Sequence, residues 1–130
     1  MATVLTNVGL AIVTNRMIGS GTEPVYLGWG TGAGTANVTD TTLFTEKDVD
    51  LTTGTGTRTT GTSSRITVTQ TNDTWNLAGT RTATGSGTVT NAGCWDNATM
   101  GSGTLFIKGD FTGIGLSSGD SIKKLGGLVA

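Results

Sequence analysis

The chain has no histidine among its 130 residues. That removes the commonest general base, the commonest metal ligand and every nucleophile that depends on an imidazole, so hydrolysis by a Ser-His or Cys-His arrangement is excluded. The single cysteine, Cys94, makes no intramolecular disulfide and leaves structural zinc without a ligand set. Its expected role is a small buried hydrophobe beside Trp95. One proline, 5% aromatic residues and 13% charged residues are further shortages. The eight basic and nine acidic residues are scattered and sum to -1, so no basic stripe follows a phosphate backbone and nucleic acid is not an expected ligand. No stretch approaches the roughly 20 apolar residues of a membrane span. The N-terminus lacks a basic segment leading into a long apolar run, which predicts synthesis in a cytoplasm and work without a membrane. No cofactor and no metal are expected.

What the chain does have is glycine, 22 residues of it, and threonine in still greater number. Threonine is β-branched and tolerated on both faces of a pleated strand, so the composition reads as all-β. A mean hydropathy near zero and apolar residues at strand spacing argue against a disordered low-complexity chain. The length suits one domain with one core.

The clearest pattern runs from Ser64 to Trp95. Ile66 and Val68 alternate with Arg65, Thr67, Thr69 and Thr71, predicting a strand with one face on the core. Asn72-Asp73 turns the chain into TWNLAGTRTAT, where Trp75, Leu77, Gly79 and Ala83 share a face, and Gly85-Ser86-Gly87 leads to a third strand ending at Trp95. The three form a predicted β-meander. Residues 1–22 hold the one predicted helix, capped by Asn7 and ended by Gly19-Ser20-Gly21, and lying across a sheet edge. The alternative is an N-terminal arm that reaches a neighbouring subunit. Val25, Leu27 and Trp29 share a strand face, and the glycines at 28, 30, 32 and 34 predict a tight corner. G-W-G-T-G is not read as a nucleotide fingerprint, because no helix opens after it. Asp40 is expected to cap a helical turn over DTTLFTE by accepting from Thr42 or Leu43, with Leu43 and Phe44 in the core. The Thr/Gly stretch 51–62 has almost no apolar face and reads as an edge strand or loose, mobile loop. Phe106 is expected to point away from Leu105 and Ile107. Short strands follow at Ile114–Leu116 and from Ser121. The count is about eight strands, in a single-domain β-sandwich, jelly roll or closed barrel over residues 23–130, with residues 1–22 as helix or arm.

Asp73, Asp96, Asp110 and Asp120 are the carboxylates available for paired acid chemistry, but each sits beside Gly, Asn or Ser at a predicted turn, where aspartate bonds the local backbone. A calcium loop of the D-x-[DN]-x-[DN]-G kind is absent. The sequons at Asn37, Asn72 and Asn97 follow from a threonine-rich composition. Trp29, Trp75 and Trp95 suit core packing better than a sugar-stacking platform.

The blocks PVYLGWGTGAGT, TDTTLFTE, GTVTNAGCWDNA and GTLFIKGDFTGIGLSSGDSI, in that order, resemble the small virion structural proteins encoded near the major capsid gene of tailed bacteriophages. The resemblance covers Pro24 to Ile122. It implies a non-enzymatic capsid decoration or cement subunit: a β-sandwich or jelly roll that forms a homo-oligomer, a trimer, on the virion surface and clamps neighbouring copies of the major capsid protein. Some relatives are tail or fibre components. The relatives finish on an alternating strand, whereas residues 123–130 do not alternate. Candidate contact residues are Val4, Leu5, Ile12 and Met17 in the N-terminal segment, Thr55, Thr57 and Arg58 in the Thr/Gly edge, and Leu125, Leu128 and Val129 in the apolar tail. Removing residues 1–18 is expected to weaken shell binding while leaving the rest folded. A carbohydrate-binding adhesin module and a carboxylate-pair hydrolase are the rival classes.

Overall fold

The structure, a computed structural model, describes residues 2–123 and the backbone of 126–129. It consists of antiparallel strands with one short helix. Strands β1 (Thr3–Leu5), β2 (Tyr26–Gly30), β3 (Glu46–Lys47), β4 (Thr59–Thr60), β8 (Gly87–Trp95) and β9 (Leu105–Leu116) form a six-stranded sheet in the order β1-β9-β8-β2, with β3 and β4 side by side along the far edge of β2. Strands β5 (Thr62–Ile66), β6 (Thr74–Ala78) and β11 (Gly126–Val129) form a second sheet in the order β11-β6-β5, and β7 (Thr80–Thr82) pairs with β10 (Ser121–Lys123) in a third.

The period of two along β2 explains how these sheets meet. Leu27 packs with Cys94, Ile107, Phe106, Ile12 and, from the second sheet, Leu77. Trp29, on the same face two residues on, packs with Val89, Ala92 and Leu116, and against Ala83, Leu51 and Ile122 from the third sheet and its flanks. The opposite face of the large sheet carries Tyr26, Trp95 and Leu105, which the connection between β2 and β3 covers with Leu43. Gly28 and Gly30 therefore lie within a strand and make no corner. They are glycines because that connection lies against them: a Cβ on Gly28 would stand 2.6 Å from Glu46 Oε2, and one on Gly30 would overlap the Phe44 carbonyl oxygen.

Several expectations change. The stretch 64–95 is not one meander: β5 and β6 pair, but β8 pairs with β2 and β9, and Gly79 separates β6 from β7, which join different sheets. Ile66 and Val68 face solvent. Residues 3–5 are a strand of the main sheet, and the helix α1 (Leu10–Met17) begins at Gly9, with no side-chain cap from Asn7. Thr6 does the local work instead, its Oγ1 accepting from the Gly9 N–H and donating to the Leu105 carbonyl. Residues 3–5 are thus built into the main sheet and Ile12 of α1 into its core, so this segment packs on the domain where an extended arm was the alternative. No helical turn forms over DTTLFTE, and Asp40 accepts from the Asn37 N–H, not from Thr42 or Leu43. A bulge between Cys94 and Trp95 turns Phe106 to the side of Ile107 and leaves Leu105 on the other. Residues 105–116 are one continuous strand. Eleven strands occur among the described residues, against an expectation of about eight.

Candidate functional site

Acidic chemistry is the first class to locate. Asp73 accepts from the N–H groups of Val68, Thr69 and Gln70 at 2.8–2.9 Å, Asp96 from Thr104, and Asp120 from Ser117, so these three hold turns closed. The Gln70 bond, with those of Val68 and Thr69, keeps the Asp73 carboxyl well below the usual carboxylate range. Asp110 differs from expectation by lying inside β9, where it ties Ala36 and Ala2 to the sheet. The Ala36 N–H, aided by Ala2, outweighs burial and lowers its pKa as well.

The charges hidden in the fold had no counterpart in the sequence reading. Arg58, Arg81 and Lys108 are each 98% buried or more, and each meets one carboxylate and one aromatic ring. Arg58 Nε and Nη2 donate to the two oxygens of Glu46 at 2.8 and 2.9 Å, its Nη1 reaches the carbonyls of Asn97, Thr99 and Ser102, and its Cζ lies 3.8 Å from the Trp95 ring centroid. Lys108 Nζ donates to Asp40 Oδ2 at 2.9 Å and to the Thr42 carbonyl, 3.2 Å from the Phe44 ring centroid. Arg81 meets Asp48 at 3.4 Å and lies over Trp29. Burial lowers the Arg81 pKa, against the opposing pull of Asp48 and Glu46. All three acids come from residues 40–48. Asp40 lies in the connection over the far face of the sheet, Glu46 in β3 and Asp48 just after it, so the segment 40–48 is fastened at three points by cations rooted near β4, in β7 and in β9. Asn91 adds a fourth, its amide accepting from the Phe44 N–H and donating to the Phe44 carbonyl, both at 3.0 Å. These pairs are structural: their polar atoms are turned inward, and of the nitrogens of the three cations Arg81 Nε alone has no hydrogen-bond partner among the described residues.

Arg58 is therefore withdrawn from any outward contact set. The Thr/Gly segment around it is held down by this guanidinium and by Leu51, which a left-handed φ of 64° sends into the core. Thr55 and Thr57 stay exposed, with Thr57 bridged to Thr99. Ile12 is buried, Val4 and Leu5 are half-buried, and Met17 is 80% exposed. Leu125 lies outside the described residues, and so do the side chains of Leu128 and Val129. The backbone of residues 126–129 pairs with β6 as a strand, which replaces a free tail. Trp29 and Trp95 are buried, so the three tryptophans form no common platform. Cys94 is fully buried, and burial pushes its thiol up to about 12.

Two surface features remain. One is the free edge of the second sheet: β5 is its outermost strand, and the turn beyond it leaves Ile66 41% and Val68 62% exposed, with Asp73 clamping the turn beneath. The other is an apolar cleft of about 340 Å³ between α1 and β6. Trp75 and Phe106 meet edge to face in it, ring centroids 5.6 Å apart at 85°, and Arg16 and Glu23 border it. Beside it α1 ends in Met17 and Ile18, both about four-fifths exposed, where Gly19 at φ 76° turns the chain away. No helix is long and apolar enough to cross a membrane, and no group of three metal-ligating side chains occurs among the described residues. No protein-family model, no curated protein and no solved structure matches the chain.

Proposed function

We propose that the chain is a structural virion protein, a sandwich-type capsid decoration subunit that joins copies of itself and lies on the outside of a tailed-bacteriophage shell across contacts between capsomers. The free edge of β5 carries this reading. An exposed five-residue strand with no proline and one charged residue, with Ile66 facing solvent at its end and Val68 in the turn beyond, offers main-chain hydrogen bonds and apolar contact to another β surface. A stiff turn presents that edge at no further ordering cost, because Asp73 already holds three of its N–H groups. Shallow contact of this kind gains strength by repetition over a symmetric shell. The buried cations and the turn aspartates support the same reading, since the charged side chains that chemistry would need are occupied in holding the fold.

Co-sedimentation with empty shells of a tailed-phage major capsid protein tests it. The protein is expected to pellet with shells, and a variant carrying Ile66→Asp and Val68→Asp is expected to stay folded and remain in the supernatant. Failure of the unaltered protein to bind any such shell removes the reading.

A further inference from the structure

We propose that the cleft beside α1 receives the Met17–Ile18 corner of a second copy of this chain, so that two copies pair about a two-fold axis. The inference rests on the self-association in the reading above and names its surface. Met17, which lines one side of the hollow, and Ile18 after it form an apolar corner, 80% and 79% exposed, at the lip of a hollow floored by the Trp75 and Phe106 rings. A two-fold interface must be self-complementary, the same patch serving as both partners. A protrusion and a hollow side by side meet that requirement: a half-turn about an axis between them seats each corner in the opposite hollow. At about 340 Å³ the hollow lies at the small end of the 300–1,000 Å³ typical of bound molecules, a size suited to a pair of side chains.

Charge points to the same occupant. The rim holds one cation, Arg16, and one anion, Glu23. The Arg16 guanidinium donates to the Gly21 carbonyl through Nη1, and Glu23 accepts from the Ser63 hydroxyl through Oε1, so each keeps polar atoms to offer outward. The half-turn that exchanges corner and hollow also brings Arg16 of each copy towards Glu23 of the other. An anionic membrane or a uniformly charged partner would meet one favourable and one unfavourable group here. A second copy meets two favourable ones, which set register more than affinity. The adjacency of corner and hollow favours a closed pair over the three-fold ring that the sequence resemblance implied.

Light scattering and sedimentation equilibrium of the full chain test this. The expected mass is twice the 13.1 kDa of one chain. Met17→Asp and Ile18→Asp are each expected to raise the dissociation constant about 100-fold or more, as loss of a central apolar anchor does. Both sites are exposed, so thermal unfolding of the separated chains is expected to be unchanged. Arg16→Glu and Glu23→Arg are each expected to weaken pairing, and the chain carrying both is expected to regain it, a rescue that loss of helix stability would not show. A monomer at every concentration, a three-chain mass, or a dimer indifferent to Met17→Asp and Ile18→Asp overturns the proposal. Shell binding is read separately by co-sedimentation, so an unaltered chain that binds shells without pairing overturns this surface alone.

Discussion

Arg58 lies flat against Trp95, its Cζ 3.8 Å from the ring centroid, while two of its nitrogens grip both oxygens of Glu46. The ring shields the pair from water on one side, and three backbone carbonyls take the remaining donors on another. Removing the guanidinium would strand the Glu46 carboxylate and those carbonyls together. Arg58→Met is expected to lower stability by about 3–5 kcal/mol, the range for breaking one side of a buried pair. Arg58→Lys is expected to restore little, because an ammonium has no planar fork to span two oxygens and stack. Urea unfolding followed by tryptophan fluorescence measures both. A loss below about 1 kcal/mol would place the pair among ordinary surface ion pairs.

The Asp40–Lys108 pair predicts a pH dependence. Burial pushes the Asp40 carboxyl up, but the Lys108 hydrogen bond, the Asn37 N–H and the Lys108 charge together hold it below its ordinary 3.8. A carboxyl with a folded pKa below its unfolded one contributes stability above the unfolded value, and loses it as pH falls through the folded value. The stability difference between the unaltered protein and Asp40→Asn is therefore expected to be full at neutral pH and to close in acid, beginning near pH 3.8. Denaturant titrations across that range check it, and a difference that ignores pH contradicts it.

At the start of the chain, Thr6 is fully buried and its hydroxyl bonds in both directions, 2.6 Å to Leu105 O and 3.0 Å from Gly9 N. Thr6→Val keeps the shape and leaves both partners unpaired, so a loss of about 1–3 kcal/mol is expected. Deletion of residues 1–18 takes away β1, Thr6 and Ile12 at once. It is expected to abolish cooperative thermal unfolding, contrary to the expectation of a removable arm. Circular dichroism melts decide between the two.

Cys94, with its thiol pushed up to about 12 by burial, is expected to resist thiol reagents in the native protein at neutral pH and to react fully once unfolded. Mass spectrometry after iodoacetamide treatment measures this. Labelling at the unfolded rate without denaturant would mean that the strand pair β8–β9 opens freely.

What the amino-acid pattern revealed was local. Leu27 and Trp29 shared a face as their spacing required, the third extended segment ended at Trp95, and Asp73, Asp96 and Asp120 closed turns. Arg81 shares parity with Trp75, Leu77 and Ala83, and Lys108 follows three consecutive apolar residues, so both carried a signal of burial. That signal was masked by the ordinary preference of cations for water. Arg58 carried none, because its threonine and glycine neighbours have no apolar face. The partners Asp40, Glu46 and Asp48 crowd into nine residues, yet nothing in that cluster tells which distant cation each will meet. Ile66 and Val68 failed in the other direction: alternation predicts a two-faced strand, but among the described residues no element covers that end of β5, and both stay exposed. The cleft has no linear signature at all, since α1, Pro24, Trp75 and Phe106 meet only through tertiary packing.

Thr6 and Leu105, bonded to each other, stand 99 residues apart, and the whole of β1 lies along β9. On a ribosome the first strand emerges long before its partner has been translated. Its neighbour Ile12 waits equally long for Phe106 and Ile107. Closing so wide a loop is slow even though its entropy grows only with the logarithm of length. The nascent protein must therefore carry Val4, Leu5 and the apolar side of α1 uncovered until residues 105–109 have been made, and the six-stranded sheet closes only once β9 is in place.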